Sequence, residues 1–347
     1  MAVYKLGNVI NKAEIFKKDK DFNLKYIDLS SIKTKNYLLI NNANSPLRAK
    51  WLINKPSILI GRIRPENFNH SFIISKEFYV ASSGFSVYIQ KNEFFLLKYI
   101  WYTIQTKKFL EYTIKNATGS TYPEISENKL SKFELEIPEI NIQNQIIDII
   151  EPIENLENKL INIKNKLIEL LINLYNYSNN NQISFNSVIK ILISKYENQI
   201  NYFATNAVGE MQIDYEKIIN LSEKIPSRAN ISPWKDSFIF SKLAGENKIF
   251  YFKDKPKEVF STGFFNFKTE HHDHILGFML SNDFKKQKEY LATGTTMQGI
   301  NNSSLELIKL NKSSLKSSIM TTTLYDLENN LIKIKKLKAK LINLLLK

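Results

Sequence analysis

The residues most suggestive of metal chemistry are His271, His272, Asp273 and His274, which follow one another directly. Imidazole and carboxylate groups are common ligands of divalent metals. Adjacent side chains can all face one ion only where the backbone turns, and helical metal sites place their ligands at i and i+4. The segment therefore favours a solvated helix start, with metal binding as the alternative. The chain has no cysteine, which excludes disulfides and thiolate metal sites.

Motifs of common cofactor-dependent enzymes are missing. No two of the ten glycines lie closer than Gly294 and Gly299, which excludes the glycine-rich fingerprints that bring phosphates close to the backbone. No two prolines are adjacent, so the Asn/Asp-Pro-Pro-aromatic motif of amino-methyltransferases is also absent. Neither a nuclease-like acid pair nor a nucleophile elbow is convincing. None of the common enzyme motifs is therefore indicated, and an enzyme with an unrecognised site stays one of the alternatives.

The charge and hydrophobicity of the chain indicate which kinds of partner it can bind. The formal net charge is +14 and the pI is near 9.4, which indicates a phosphate-rich partner or else a lysine-rich coding bias. No apolar run approaches the ~20 residues of a membrane span, and the N-terminus lacks a signal-peptide core. We therefore expect a cytoplasmic protein without membrane contact. A length of 347 residues suits two domains.

Two similar loops indicate an internal duplication. The sequence ATGSTYPEI begins at Ala117, and ATGTTMQGI begins at Ala292, 175 positions later. Further weak matches occur in the same order along the chain, and the offset between the two copies changes only slowly. The matching pairs are Leu6–Ile10 with Phe185–Ile189, Ser57–Arg62 with Ser237–Lys242, Ser83–Phe85 with Thr262–Phe264, and Leu156–Ile161 with Leu327–Ile332. Collinear matches of this kind predict a repeated unit, namely a globular lobe followed by a helix.

Each copy ends in an apolar heptad pattern. In the first copy the pattern consists of Ile142, Ile146, Ile149, Ile153, Leu156, Leu160, Ile163, Leu167, Leu170 and Leu174. In the second it consists of Met320, Leu324, Leu327, Leu331, Ile334, Leu341 and Leu345, with Lys338 in one seam position. Such spacing is typical of a coiled-coil seam. Pro152 should kink the first helix or mark its true start.

The predicted fold class is α+β, with two globular domains in tandem repeat separated by two long helices. The first helix is mainly acidic and the second mainly basic, which favours mutual pairing as an antiparallel coiled coil. Packing of each helix on its own lobe is the alternative. The predicted boundaries are 1–140 for the first lobe, 141–177 for the first helix, 178–315 for the second lobe and 316–347 for the second helix.

Both lobes should mix strands and helices. The segments Tyr79–Ile89 and Phe260–Phe267 have β-type composition, whereas Phe94–Leu110 and Ile275–Lys288 have helical periodicity. Trp51, Trp101 and Trp234 are interpreted as core residues, with wedging into DNA as the alternative.

This layout resembles the specificity subunit of type I restriction-modification systems. The resemblance is based on the Gly-Ser-Thr loop Ala117–Ile125, the strand Leu130–Ile137 followed by Pro138, the helix start with Gln143 and Gln145, and the long heptad helix, all repeated. It covers essentially the whole chain. The second loop departs from the first, because Thr295-Thr296-Met297-Gln298 replaces Ser120-Thr121-Tyr122-Pro123.

The resemblance implies two target recognition domains, each reading half of a split DNA site, and a coiled coil that sets the spacing between the halves. It also implies a non-catalytic chain without a cofactor of its own. S-adenosylmethionine would belong to a partner methyltransferase subunit, present in two copies, and restriction or translocase subunits could join the complex. The alternative is a coiled-coil adaptor that binds proteins and has no DNA sequence specificity.

Candidate DNA-contacting residues lie on loops of both lobes. Arginine can read guanine bidentately or hold phosphates, and hydroxyl and amide groups can contact phosphates or base edges. The candidates are Arg62, Arg64, Ser120, Thr121 and Tyr122 in the first lobe, and Lys242, Thr295, Thr296 and Gln298 in the second. The alternative for each arginine is a surface ion pair, and for the hydroxyl loops it is a turn or a helix cap. Gly119 and Gly294 are interpreted as turn formers.

Overall fold

The computed structural model describes residues 2–18, 21–32, 37–74, 77–178, 181–222, 225–294 and 298–346. Within these ranges the chain is mixed helix and strand. No helix there is long and apolar enough to cross a membrane.

The first half of the chain ends in a long helix. Its elements are β1 (Ala2–Lys5), α1 (Leu6–Val9), β2 (Ile10–Lys12), β3 (Glu14–Ile15), β4 (Asn23–Ile27), β5 (Leu38–Asn41), β6 (Ala49–Ile53), β7 (Ser57–Gly61), β8 (His70–Ile73), β9 (Tyr79–Ser82), β10 (Phe85–Gln90), α2 (Leu97–Thr103), α3 (Lys107–Asn116), α4 (Glu127–Ser131), β11 (Glu134–Ile137) and α5 (Ile140–Asn176).

The second half follows the same plan. Its elements are β12 (Gln182–Ser184), β13 (Lys190–Ile191), β14 (Asn201–Phe203), β15 (Val208–Gly209), β16 (Gln212–Ile213), β17 (Ile219–Asn220), β18 (Ala229–Ile231), β19 (Ser237–Ser241), β20 (Ile249–Phe252), β21 (Val259–Ser261), β22 (Phe264–Lys268), α6 (His272–Leu280), α7 (Asn282–Leu291), α8 (Ser304–Leu307), β23 (Lys309–Asn311) and α9 (Ile319–Leu345).

Sheet topology repeats between the halves. A four-stranded sheet with the order β2-β10-β7-β8 corresponds to one with the order β13-β22-β19-β20, and the ribbon β1-β11 corresponds to β12-β23. The sheet β3-β6-β9-β4-β5 has the four-stranded counterpart β17-β14-β21-β18, with a parallel pair in each, β4-β9 and β14-β21. Matching strand order and direction supports the duplication inferred from the sequence.

The predicted strand segments Tyr79–Ile89 and Phe260–Phe267 each form two strands, and the strand predicted over Leu130–Ile137 begins only at Glu134, because Leu130 belongs to α4. The helices predicted within the lobes are present, but each of them is also divided in two. Thr106 ends the first segment and caps α3, because its hydroxyl accepts a hydrogen bond from the amide of Phe109. Ser281 does the same for α7 through the amide of Phe284. A side-chain cap supplies an acceptor for a helix-start amide that has no partner within the helix. Periodicity alone does not reveal this break, because the apolar spacing continues through it.

The chain forms two compact units, and segments of both long helices belong to each. The first unit comprises residues 1–155 and 335–347, and the second comprises residues 156–334. In the first unit, Ile146 and Ile150 of α5 share a core cluster with Ile342 of α9. In the second, Leu171 of α5 and Leu324 of α9 share a core cluster. The boundaries predicted from the sequence, with two lobes and two separate helices, therefore stay a prediction.

The predicted seam of α5 is only half right. Ile146 is buried, and Ile153, Leu160 and Leu167 are partly buried, as the heptad predicts, but Leu174 at the end of the same series is 49% exposed. The other seam position is 39–50% exposed, and its members are Ile142, Ile149, Leu156, Ile163 and Leu170. The neighbouring position is buried instead, and its members are Gln143, Ile150, Glu157, Lys164 and Leu171. Three of those five are polar, so a search for apolar periodicity selects the wrong neighbour.

Two sequence irregularities in the helices also have structural outcomes. Helix α5 begins at Ile140, so Pro152 lies inside it and does not mark its start. Lys338 lies partly buried on α9, as expected for a seam position. Burial acts to raise the pKa of Glu154 on α5, but hydrogen bonds from Lys98 and Trp101 and the charges of Lys98 and Lys338 together hold it below the usual range.

The prediction of a solvated helix start at the histidine cluster is wrong in one respect. The helix does start there, but His272 and Asp273 are buried. His272 Nε2 lies 2.9 Å from Asp236 Oδ1, and His274 Nε2 lies 2.6 Å from the carbonyl oxygen of Asn311. The described residues contain no group of three or more potential ligands arranged for a metal ion. The histidine side chains therefore connect α6 to Asp236 and to the carbonyl oxygen of Asn311.

Candidate nucleic-acid interface

The first lobe brings its predicted site residues together in one loop cluster. The amide of Arg64 donates to the carbonyl oxygen of Pro123 at 2.7 Å, and the amide of Ile125 donates to that of Arg62 at 3.0 Å. Two distant loops are thereby joined, with Arg62 and Arg64 on one and Ser120, Thr121 and Tyr122 on the other. We call residues 62–64 and 118–124 the first loop cluster.

Within the first loop cluster the two arginines differ. The Arg62 guanidinium is largely enclosed, bonded to Ser83 O at 2.7 Å and paired with Glu124 at 3.0 Å. The Arg64 guanidinium is exposed and lies 4.8 Å from the ring centre of Tyr122, which is itself 67% exposed. Arg64 Nη2 also donates to the carbonyl oxygen of Thr121 at 3.4 Å. Stacking itself uses no donor, so the remaining Arg64 donors can be offered to a ligand, whereas Arg62 supports the loops from inside.

The turn at the tip of this loop requires glycine. Gly119 has φ +106°, a conformation that disfavours a side chain, and an added Cβ would lie 3.0 Å from the carbonyl oxygen of Tyr122. Gly294 in the second lobe has φ +114°. Both glycines thus have the positive φ expected of turn formers, and Ser120 and Thr121 after Gly119 are exposed.

The second lobe repeats this backbone arrangement. The amide of Lys242 donates to Gly263 O at 2.8 Å, as that of Arg62 does to Gly84 O at 2.9 Å. The amide of Ala244 donates to Gln298 O at 3.0 Å, in the same way as Arg64 bonds Pro123. We call residues 242–244 with 293, 294, 298 and 299 the second loop cluster. Lys242 and the exposed Gln298 come together in it, while Thr295 and Thr296 lie outside the described residues.

Equivalent positions in the two loop clusters carry different chemistry. Glu124 bridges to Thr118, and Gly299 bridges in the same way to Thr293, so glycine replaces the carboxylate that neutralises Arg62. Ala244 takes the place of Arg64. Within the described residues Lys242 has no carboxylate partner, and its ammonium lies 4.9 Å from the ring centre of Phe265. The first cluster offers a guanidinium fork, and the second offers a single ammonium.

An open cavity and a buried lysine adjoin Lys242. The cavity has a volume of about 470 Å³ and is lined by Lys242, Phe265 and the segment Ile300–Ser303. Lys288 is buried behind the same loop and donates to the carbonyl oxygens of Ser241 at 2.8 Å and Glu246 at 3.0 Å. Burial lowers the pKa of Lys288 to about 8. Lys288 thus anchors the loop that follows β19, and helical periodicity gave no sign of this role.

Sequence reasoning also missed an arginine in each lobe. Pro46-Leu47-Arg48-Ala49 and Pro226-Ser227-Arg228-Ala229 share the pattern Pro-x-Arg-Ala at the repeat offset of the neighbouring strands. Extending the repeat alignment through these turns would have found both. Of the tryptophans, Trp51 and Trp101 are buried as interpreted, whereas Trp234 is 47% exposed, so its interpretation as a core residue is wrong.

A histidine beside the first loop cluster should make the first lobe sensitive to acid. His70 Nδ1 accepts a hydrogen bond from the Gly61 amide at 3.1 Å, and its ring packs against Phe68 and Phe109. Although part of the residue is exposed, Nε2 is buried without a partner among the described residues. Burial lowers the pKa of His70 to about 4. The fold therefore favours the neutral ring.

Stability from the neutral His70 should be present above pH 6.5 and should be lost as the pH falls toward 4. The unfolded chain binds the proton more readily in that window, so the loss should reach about 1–3 kcal/mol. Urea unfolding followed by tryptophan fluorescence at several pH values measures it. In His70→Gln the decline between pH 6.5 and 4.5 should be shallower than in the wild type. Parallel profiles for the two proteins would contradict this assignment.

Comparison with known proteins agrees with the duplicated architecture. Residues 1–170 match the family model of the type I restriction modification DNA specificity domain. A specificity subunit of the HindI type I restriction enzyme from Haemophilus influenzae is 27% identical over 159 residues, which cover 44% of this chain and 35% of that subunit. The match thus spans about a third of the relative's length.

A solved structure resembles the fold over the whole chain. The type I restriction-modification S subunit from M. genitalium aligns with a TM-score of 0.52 at 13% identity, covering all of this chain and 96% of the other. At that identity the likeness concerns the fold alone. The family match itself is limited to residues 1–170, just under half of this chain.

Proposed function

We propose that this chain is the sequence-specific DNA-binding subunit of a type I restriction-modification complex, in which each lobe reads one half of a bipartite DNA site. The observation that carries the proposal is the duplicated loop cluster, built by the same backbone hydrogen bonds in two lobes but carrying different side chains. Two scaffolds with one geometry and different exposed groups suit two half-sites of different sequence. The family match of residues 1–170 supports the same function.

The two long helices set the distance between the half-sites in this proposal, as an antiparallel coiled coil. Support comes from each unit separately. The beginning of α5 shares a core cluster with the end of α9 through Ile146 and Ile342. Further along α5, Lys164 pairs with Glu328 in the first half of α9. Early residues of one helix thus meet late residues of the other, as antiparallel pairing requires.

Two methyltransferase subunits dock on the helices, and restriction or translocase subunits can join the complex. The exposed heptad position of α5 offers apolar contacts for such docking, with Ile149 in the first unit and Leu156, Ile163 and Leu170 in the second. Exposed apolar side chains at regular helical spacing are typical of a surface that binds another protein. S-adenosylmethionine belongs to the methyltransferase, and this chain is non-catalytic.

Co-expression with the methyltransferase subunit of a type I restriction-modification system from the same genome tests the proposal. Long-read sequencing of host DNA should show methylated adenines in a split motif, absent when either gene is omitted. Replacing residues 178–315 by those of a relative with another target should change one half of the motif and leave the other. A matched control is the wild-type chain with an inactive methyltransferase, which should form the complex without methylation.

Two outcomes separate this function from the adaptor alternative. A stable complex whose methylation motif changes in one half after a lobe exchange supports two half-site readers. A purified chain that binds neither a methyltransferase nor any DNA sequence preferentially would favour the coiled-coil adaptor instead. Methylation by the purified chain with S-adenosylmethionine alone would contradict the non-catalytic assignment.

A further inference from the structure

The chain has only four arginines, and all of them lie at the ends of strands beside the loop clusters. Lysine and arginine together number 48, and the arginines are Arg48, Arg62, Arg64 and Arg228. A chain that otherwise uses lysine for positive charge has arginine at these positions alone. Arginine differs from lysine by its planar fork, which bonds two oxygens at once. The fork is therefore the property that these positions share.

Arg48 and Arg228 occupy the same place in the two lobes. Arg48 lies in the turn before β6, where the Ala49 amide donates to Pro46 O at 3.0 Å. Arg228 lies in the turn before β18, where the Ala229 amide donates to Pro226 O at 2.9 Å. These equivalent turns give both arginines the same local backbone frame.

A second backbone bond ties each turn to its loop cluster. The carbonyl oxygen of Arg48 accepts from the amide of Ser83 at 2.7 Å, and that of Arg228 accepts from the amide of Thr262 at 2.8 Å. Ser83 O also accepts from the Arg62 guanidinium, so Arg48 adjoins the first loop cluster directly. In the second lobe Gly263, next to Thr262, bonds the amide of Lys242. Both arginines therefore border the surface proposed to face DNA.

The side chains of Arg48 and Arg228 are exposed, and neither forms an ion pair with another described residue. Burial raises the pKa of Tyr26, and the positive charge of Arg48 partly opposes that rise. Arg62, by contrast, is already occupied by Glu124 and Ser83. Because neither guanidinium group pairs with a carboxylate in the described part of the chain, both are available for an external anion.

Contacts to base edges should differ between the two lobes, whereas contacts to phosphates can be the same in both. Lobes that read different half-sites need different groups at base edges, as with Arg64 in one and Ala244 in the other. A phosphate is the same at every sequence, so a contact to it can be identical in both lobes. We propose, on the basis of the proposed function, that Arg48 and Arg228 are matching DNA phosphate contacts, one for each lobe.

Salt-dependent DNA binding by the complex of this chain with its methyltransferase tests the pair. The probes are a duplex that carries the mapped split motif and a scrambled duplex of equal length. Arg48→Ala and Arg228→Ala should each weaken binding to both duplexes by a similar factor, up to about tenfold, and reduce the salt slope by about one. The double variant should combine the two losses, and Arg48→Lys should lose less than Arg48→Ala.

Two further variants provide the contrast. Lys108→Ala removes an exposed charge on α3 away from the loops and should leave both affinities unchanged. Arg64→Ala should weaken binding to the motif duplex more than to the scrambled one. Circular dichroism and urea unfolding check that each variant folds.

The outcomes distinguish this inference from the function on which it rests. If the wild-type complex does not prefer its motif duplex, the proposed function fails before any arginine is tested. If it does prefer that duplex, but the double variant retains wild-type affinity and salt slope, the phosphate contacts are excluded. A loss confined to the motif duplex would also overturn the inference, because it would make Arg48 or Arg228 a base reader.

Discussion

Replacing Glu328 by alanine should lower the free energy of unfolding by about 3–5 kcal/mol, because it leaves a buried ammonium without its carboxylate. Glu328 on α9 is 3% exposed, and Lys164 on α5 is 8% exposed. The Lys164 ammonium lies 2.7 Å from Glu328 Oε2 and also donates to Met211 O at 2.8 Å. After the substitution a single carbonyl oxygen would remain as its partner. Urea unfolding measures the loss.

Two controls distinguish the destabilisation caused by an unpaired buried charge from the net contribution of the ion pair to stability. Asp326 lies on α9, as Glu328 does, and pairs with Lys253, and both side chains are about half exposed. Asp326→Ala should therefore lower the free energy of unfolding by less than ~1 kcal/mol. The double variant Lys164→Met with Glu328→Leu removes both charges and should be close to the wild type in stability. If Glu328→Ala loses no more unfolding free energy than Asp326→Ala, the prediction is contradicted, because the Lys164 ammonium must then be solvated or paired by other groups.

This buried pair also shows where sequence reasoning about the helices failed. The heptad search chose Ile163 and Leu327, each one residue before the pair, because both are apolar. In the structure Ile163 is 50% exposed, while Lys164 and Glu328 are buried. Only the packing of both helices with the loop at Met211 makes a buried lysine acceptable, and that contact connects parts of the chain distant in sequence. Periodicity predicts the helix and its length but does not reveal a polar seam position.

The duplication was predictable for a different reason. Repeated lobes give collinear matches within one sequence, and the loop at Ala117 and its copy at Ala292 each contain a glycine with positive φ, Gly119 and Gly294. Which arginine is available to a ligand was not predictable. The ion pair of Arg62 with Glu124 depends on a bridge between two loops, and the stacking of Arg64 on Tyr122 depends on the same bridge. Contacts between distant loops leave no pattern in residue spacing.

Replacing Asp273 by alanine should lower the free energy of unfolding by about 2–4 kcal/mol and should loosen the first turn of α9. The Asp273 carboxylate is buried and accepts hydrogen bonds from the Thr321 amide and hydroxyl, each at 2.8 Å. It also accepts from the Met320 amide at 3.3 Å and from the Ser317 hydroxyl. Alanine would leave these donors buried, and it would remove a negative charge from the positive end of the helix dipole.

Hydrogen exchange at the amides of Met320 and Thr321, together with urea unfolding, measures this effect. Thr323→Ala is the matched control, since its hydroxyl bonds only the Ile319 carbonyl within the exposed first turn and should change stability by less than ~0.5 kcal/mol. Asp273→Asn should fall between alanine and the wild type, because an amide keeps one acceptor oxygen but directs hydrogens toward existing donors. Unchanged exchange at both amides in Asp273→Ala would contradict the capping role.

The effect of Asp273→Ala should also extend to DNA recognition, because Asp273 is the link between the second lobe and the helix proposed to set the half-site spacing. Asp273 lies in the first turn of α6, and its own amide donates to Ser317 O at 2.9 Å, so hydrogen bonds run in both directions between α6 and the segment that begins α9. If α9 loses this anchor while the second loop cluster stays folded, half-site preference should persist but tolerance for altered spacers should widen. Methylation of sites with one base pair added to or removed from the spacer would reveal that change. Retained strict spacing, despite a loosened first turn, would mean that the rest of the helix pair fixes the distance alone.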